Sequence, residues 1–358
     1  VVPFKARACE SAGVNEPAST ESASPARIST PFSDRLGIDV PLICGAMYPC
    51  SNPELVAAAS AAGGLGVIQP LSLVYVYGHD FRAGVRLIRE LSGNKPIGLN
   101  VIVEKSVKAY ETRMKRWVDI AIEEGIRFFV TALGDPKWVV DRAQEVGGVV
   151  YHDVTERRFA DRALERGAEG LICVNSRAGG HAGGKSPEAL YEELSGLGVP
   201  LICAGGIGTP SEYAGALQQG YAGVQMGTRF IASRECGSHP DYKAAIVRAK
   251  ADDIVLTERI SGVPVAVIKT PYIEMIGTKA GFFGRRLLKG RKTKHLMRAF
   301  YMLQSIWQLK RASLQGMNYK DYWQAGKSVE GIEEIESVAE IVETFAAAAR
   351  ELEVTASA

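Results

Sequence analysis

Short apolar runs recur along this chain at intervals set by longer amphipathic stretches. The runs fall at residues 41–46, 64–69, 96–100, 127–131, 148–152, 170–175, 199–204 and 223–226. Each is continuous rather than alternating, which predicts strands covered on both faces. Helical patterns separate them. Asn52 and Pro53 predict an N-cap and first helical position for 52–62, and further helices are expected at about 79–91 and 109–124. Another opens at Asp135-Pro136, and Thr155 is read as the cap of the next. Eight strand–helix alternations predict a (β/α)₈ barrel of the TIM type, with a doubly wound sheet as the competing architecture.

The pattern breaks after about residue 236. Residues 1–27, rich in Ala, Ser, Glu and Pro, read as a flexible tail. Residues 28–236 form the barrel. Residues 237–330 read as a mainly helical lid or substrate segment, with a basic run at 285–294 taken as a solvated helix face. The last part, 331–358, holds a helix over about 332–352. Its apolar positions Ile335, Val338, Ile341, Val342 and Phe345 are expected to pack back on the barrel.

Composition narrows the class. The chain has 358 residues, enough for a barrel and an appended unit, and a net charge of +2 that gives no general case for nucleic acid. It contains no apolar run long enough to predict a membrane span. Six scattered cysteines without a CxxC pair point to a reducing cytoplasm, and no metal-site spacing is present. Oligomeric state is open between monomer and dimer.

Candidate chemistry clusters at the predicted strand ends. Cys203-Ala-Gly-Gly-Ile-Gly-Thr-Pro210 follows strand 7 and Gln225-Met-Gly-Thr-Arg-Phe230 follows strand 8. Loops there often cradle phosphate, because glycine lets backbone N–H groups approach the oxygens. Gly205, Gly206, Gly227 and Thr228 are the cradle candidates. The other strands end in Ala46-Met47, Gln69, Asn100, Thr131, His152 and Asn175. The loop Asn175-Ser-Arg-Ala-Gly-Gly-His-Ala-Gly-Gly184 presents His181 on flexible backbone beside Gly180, suited to a general base or an anion donor. His152 is read as either structural or substrate-lining.

These segments resemble the nitronate monooxygenase family, formerly the 2-nitropropane dioxygenases. The match is carried by Gly-Gly-His-Ala-Gly, Ala-Gly-Gly-Ile and Met-Gly-Thr-Arg-Phe in order, and covers about residues 31–346. The resemblance implies an FMN-dependent barrel that oxidises alkyl nitronates with O₂ to a carbonyl compound and nitrite. The same kind of barrel includes NAD(P)H-dependent reductases of enoyl thioesters and quinones, which is the alternative. It places Gly205, Gly206, Gly227 and Thr228 at the phosphate and Ala46 and Met47 beside the flavin. Gln69 and Asn100 fall on the isoalloxazine or ribityl chain, Asn175 and Gly180 complete the cofactor set, and His181 is the active-site histidine. Tyr319, Trp323 and Lys327 fall where one class carries Tyr, Tyr and Lys near the substrate. Three departures bear on the substrate. Asn175 stands where Gln is usual, Gly-Ala-Met-Tyr-Pro-Cys replaces Ala-Pro-Met, and Trp323 replaces the second tyrosine. A flavin-free barrel holding a phosphorylated metabolite is a third reading, weakened by the lack of a cysteine loop between strands 6 and 7.

Overall fold

A computed structural model describes residues 27–104, 108–258, 264–279, 309–315 and 322–357. Tyr319, the basic run 285–294 and residues 1–26 lie outside the described residues. The eight expected strands are present as β1 (Leu42–Cys44), β2 (Leu65–Ile68), β3 (Ile97–Ile102), β4 (Phe128–Ala132), β5 (Val149–Val154), β6 (Gly170–Val174), β7 (Leu201–Ala204) and β8 (Gly223–Met226). All pair in parallel in chain order, and β1 closes on β8 through Leu42↔Val224, Ile43↔Gln225 and Cys44↔Met226. The chain is therefore a closed (β/α)₈ barrel. The doubly wound alternative fails because that architecture leaves two free sheet edges.

Side-chain alternation sorts each strand into two layers. Ile43, Leu65, Val67, Phe128, Val130, Val149, Tyr151, Ile172 and Ile202 form one buried cluster inside the barrel. Leu42, Cys44, Leu99, Phe129, Val150, Leu171, Cys173, Cys203 and Val224 face outward into the clusters beneath the helices. The short helix α1 (Pro31–Leu36) seals the N-terminal end. Thr30 caps it, and Thr30 Oγ1 also donates to Ala222 O at 2.7 Å. Phe32 of α1 packs 5.7 Å from both Phe128 and Tyr151, which are 5.2 Å from each other. Gly170 makes room for this plug, since a Cβ there would lie 2.3 Å from the Tyr151 ring.

The outer helices are α2 (Pro53–Ala61), α3 (Phe81–Leu91), α4 (Lys108–Glu123), α5 (Lys137–Gln144), α6 (Arg157–Glu165), α7 (Pro187–Leu194) and α8 (Pro210–Gln219). A short α9 (Thr228–Ile231) and then α10 (Pro240–Arg248) follow β8. The C-terminal helix Val338–Ser357 packs on α8 and α2, with Phe345 5.9 Å from Tyr213.

Several local expectations are corrected. Asn52 occupies the N-cap position but does not cap; its Nδ2 donates to Glu235 O and its Oδ1 accepts from Gly237 N, tying β1's loop to the one after α9. Glu156, not Thr155, sits at the N-cap of α6, without a side-chain bond. A π-turn over Ser72–Val76 delays α3 until Phe81, where Asp80 caps. The C-terminal helix starts at Val338 rather than near 332, because Ser337 and Glu340 form a reciprocal cap, and Ile335 is 38% exposed. Among the described residues of 241–330, helices are joined by two strands that the pattern did not predict. An antiparallel pair, β9 (Ile254–Thr257) and β10 (Val265–Ile268), lies between α10 and α11 (Pro271–Ile276).

Candidate active site

The loops after β6, β7 and β8 converge at the C-terminal mouth, and glycine is what lets them do so. Gly205 and Gly206 have φ of +113° and +79°. A Cβ on Gly205 would lie 2.6 Å from the backbone of Ala178, and one on Gly206 2.6 Å from Arg177 Nε. The β7 loop is thus pressed against the start of the His181 loop. Asn175 fixes the contact from below. It is fully buried, its Nδ2 donates to Gly205 O at 2.9 Å and its Oδ1 accepts from Arg177 N at 2.8 Å. With its amide engaged on backbone, Asn175 shapes the cradle rather than facing into it. Among the described residues, the N–H groups of Gly205, Gly206, Gly227 and Thr228 make no hydrogen bond within the chain. Such N–H groups suit an anion.

The segment 322–331 returns across the same mouth. Gly326 N donates to Thr228 Oγ1 at 3.0 Å, and Lys327 N donates to Arg177 O at 2.8 Å. Ala266 N of β10 donates to Gly180 O at 2.7 Å, and Ile268 N to Trp323 O at 2.9 Å. The β6 loop, β10 and residues 322–327 therefore form one hydrogen-bonded rim. Gly180 belongs to this rim, with a φ of +68°. Lys327 opens a 3₁₀ turn over Lys327–Gly331.

His181 stands on the rim. It is exposed, and its imidazole makes no hydrogen bond among the described residues. Although one side of the residue reaches solvent, the protein packed around the ring disfavours its charged form and lowers its pKa. A neutral, unpaired imidazole at a mouth can accept or donate a proton.

Inward-facing polar residues line the mouth below these loops. Gln69 follows Val67 on the inner face, is buried, and accepts from Ser72 N at 3.0 Å. Asn100 alternates with the outward Leu99 and Val101 and is half-buried. Met47, after β1, leans toward the neighbouring β8 loop, its Sδ 3.3 Å from where a Gly227 Cβ would be, while Ala46 packs against the inner cluster. These positions lie with the glycine cradle at one end of one barrel.

Two candidates fall elsewhere. His152 faces outward, buried beside Thr131, whose Oγ1 lies 2.8 Å from His152 Nδ1. Burial pushes its pKa down to about 4, so it is a neutral structural imidazole. Trp323 sits in the core, stacked on Tyr242 at 5.4 Å and 4°, with Nε1 donating to Ala312 O. The indole is closed off from the mouth by its own packing. Arg229 of the β8 motif is also structural. It is 2% exposed and binds Glu334 O and the Glu336 carboxylate, holding the C-terminal return.

Three residues at the mouth escaped the sequence reading. Arg177 lies against Gly206 and pairs with Glu212 of α8 at 2.7 Å. Gln225 faces inward and packs on Gly45, where a Cβ would lie 3.0 Å from its Cγ. Asp153 faces inward from β5. Strand alternation was the available signal for Gln225 and Asp153. Among the described residues no His/Cys/Asp/Glu group could hold a metal, and no helix is long and apolar enough to cross a membrane.

The family model for nitronate monooxygenase matches residues 29–347, which takes in the barrel, the rim and the first half of the C-terminal helix. The chain belongs to the nitronate monooxygenase family. With that membership it is an oxidoreductase. A nitronate monooxygenase of Pseudomonas aeruginosa is 29% identical over 276 residues, spanning 64% of this chain and 77% of the relative. A (3aS,4S,5R,7aS)-5-hydroxy-7a-methyl-1-oxo-octahydro-1H-indene-4-carboxyl-CoA dehydrogenase of Mycobacterium tuberculosis is 28% identical over 276 residues, 75% of each chain. Among solved structures, FabK from Thermotoga maritima superposes with a TM-score of 0.74 at 29% identity, covering 92% of this chain and 98% of that one. A nitroalkane oxidase from Streptomyces ansochromogenes, with a TM-score of 0.72 at 19% identity, shares the fold.

Proposed function

We propose that this member of the family is an FMN-dependent oxidoreductase that oxidises small alkyl nitronates with O₂ at the mouth described above. The observation that carries it is the convergence of an unpaired, neutral His181 with the paired glycine loops after β7 and β8. The fit to FMN rests on the cradle: Gly205 and Gly206 let the β7 loop press against Ala178 and Arg177, and among the described residues the N–H groups of Gly205, Gly206, Gly227 and Thr228 are uncommitted. In this reading Gly205, Gly206, Gly227 and Thr228 hold the phosphate, with Arg177 beside it. Ala46, Met47, Gln69, Asn100 and Gly180 border the ring and ribityl chain, and Asn175 keeps the cradle in shape.

FMN bound there supplies the electron transfer and the reaction with O₂. The chain supplies the rest. His181, neutral at physiological pH, donates an N–H to a nitronate oxygen, or accepts the α-proton when a neutral nitroalkane enters. Lys327, fixed through its backbone to Arg177 O, borders the same mouth and adds a positive charge near an anionic substrate. Gly326 and the β10 contact hold this rim against the barrel and limit water access.

A second activity, NAD(P)H-dependent reduction of an enoyl thioester or quinone, has one specific observation in its favour: the CoA-ester dehydrogenase matches as much of this chain as any nitronate enzyme reported above. An anaerobic absorbance titration of the FMN-loaded protein separates them. Bleaching of the flavin by an alkyl nitronate but not by NADH or NADPH supports the monooxygenase. Fast bleaching by a pyridine nucleotide, with no response to nitronate, rejects it.

A further inference from the structure

Two polar residues stand side by side on β5 and face opposite ways. His152 points outward to Thr131. The alternation that sends Tyr151 into the inner cluster and Val154 into the outer one sends Asp153 inward, one layer nearer the mouth than Tyr151. The positions that share this inner face near the mouth, Gln69, Asn100, Val174, Ala204 and Gln225, include no cation.

The Asp153 Oδ1 is sealed from solvent and has no hydrogen-bond partner, and among the described residues Asp153 makes no ion pair. The residue as a whole is only half-buried, so its carboxyl straddles the closed interior and the open mouth. A carboxyl that merely stabilised the fold would be paired, because an isolated buried carboxylate is costly. With only burial acting on it, its pKa is pushed up to about 7.

We propose that Asp153 is a ligand-binding residue of this site, whose protonated carboxyl donates its O–H to a nitrogen or carbonyl acceptor on the flavin ring. The assignment rests on the FMN reading above. A neutral acid in this position supplies a donor where the barrel wall otherwise offers amides and alkyl groups. The ionised form removes that donor and sets a negative charge against electron-rich acceptors, so binding weakens as the proton leaves.

The ionisable groups around it do not imitate this behaviour. Tyr151 beneath it and Cys173 on β6 are both pushed far above neutrality by burial. His152, with Asp135 of the β4 loop acting on it, titrates near 4. His181 on the β6 loop is shifted downward, and Arg177 and Lys327 on the rim are cationic.

The test is riboflavin and FMN binding by flavin-fluorescence quenching from pH 5.5 to 8.5, on the full chain. Riboflavin lacks the phosphate, whose own ionisation near pH 6 would confuse the profile. Riboflavin affinity of the unmodified protein should fall about tenfold from pH 6 to pH 8, the loss of one good hydrogen bond. Asp153→Asn, which keeps a donor and cannot ionise, should bind at the low-pH level throughout. Asp153→Val should bind about tenfold more weakly and without pH dependence. A flat profile for the unmodified protein, or an Asp153→Asn variant that keeps the slope, overturns the proposal while leaving the flavin reading intact. Failure of the cooperatively folded, unmodified protein to bind FMN at any pH overturns the flavin reading itself, and this assignment with it.

Discussion

At the N-terminal end of the barrel, Phe32, Phe128 and Tyr151 pack ring against ring and Gly170 gives way to them. At the C-terminal end, His181 and the Asp153 Oδ1 have no partner among the described residues, and four N–H groups of the β7 and β8 loops are uncommitted. The same strands run through both ends. The floor is filled by packed rings and leaves one buried oxygen, Glu169 Oε1, unpaired, whereas the mouth leaves a cluster of polar groups unsatisfied around an opening, and such a cluster is what a ligand can bind. Substitutions at the floor should therefore change stability and leave the chemistry alone. Substitutions at the mouth should do the reverse.

The largest expected effect lies at the mouth. His181→Ala should lower kcat/KM by about 10²–10⁴-fold, the usual loss on removing a proton-transfer residue. The imidazole has no hydrogen bond to lose, so the thermal midpoint should stay within a degree or two of the parent. A large fall in that midpoint would mean that the rim depends on His181 for its structure, and the contrast between the two ends would collapse.

Next comes the floor. Phe32→Ala removes a fully buried ring from the plug and should cost about 3–5 kcal/mol by denaturant unfolding. The folded fraction should keep its parental KM and turnover per bound flavin. A changed KM with little loss of stability would show that α1 communicates with the mouth.

β5 crosses from one regime to the other, and its pH response should show both. His152 is buried neutral with its pKa pushed down to about 4. Below about pH 6.5 the unfolded chain binds a proton that the folded chain refuses, so stability falls as pH drops from about 6.5 to 4. The full effect is about 3 kcal/mol at the lower end. Asp153 has the opposite sign. Its pKa is raised to about 7, so the folded chain holds a proton that the unfolded one releases, and stability falls as pH rises from about 4 to 7. The two slopes oppose each other between about pH 4 and 6.5. Asp153→Asn removes one, so its stability should rise more steeply with pH in that window than the parent's. Equal slopes in urea titrations at pH 4.5, 5.5 and 6.5 would contradict it.

Most of the barrel was legible because continuous apolar runs at regular spacing have few other uses. All eight strands, and the cradle glycines after β7 and β8, stand where the spacing put them. The β9–β10 hairpin was missed because four-residue runs such as Ile254–Thr257 look alike in a helix and a strand. His152 and Asp153 show the limit more sharply. Proximity to a strand end nominated His152, but facing is set by period two, and counting from Tyr151 would have chosen Asp153. Asn175 was recognised as special, yet no local pattern reveals that its amide is taken up by Gly205 and Arg177.

The smallest expected effect concerns Trp323, which family spacing placed beside the substrate and packing places in the core. Its indole stacks flat on Tyr242, and its one polar atom donates to Ala312 O at 3.1 Å. Trp323→Phe keeps an aromatic face for the stack and deletes the donor. It leaves the buried Ala312 carbonyl without this partner and opens a small void, which should cost roughly 1–3 kcal/mol of stability. Because Trp323 O still accepts from Ile268 N through the backbone, the rim should hold its shape and KM should be unchanged. A severalfold rise in KM with unaltered stability would return Trp323 to the substrate. It would also mean that the segment 322–327 belongs to the mouth through its side chains, and not only through the backbone bonds of Gly326 and Lys327.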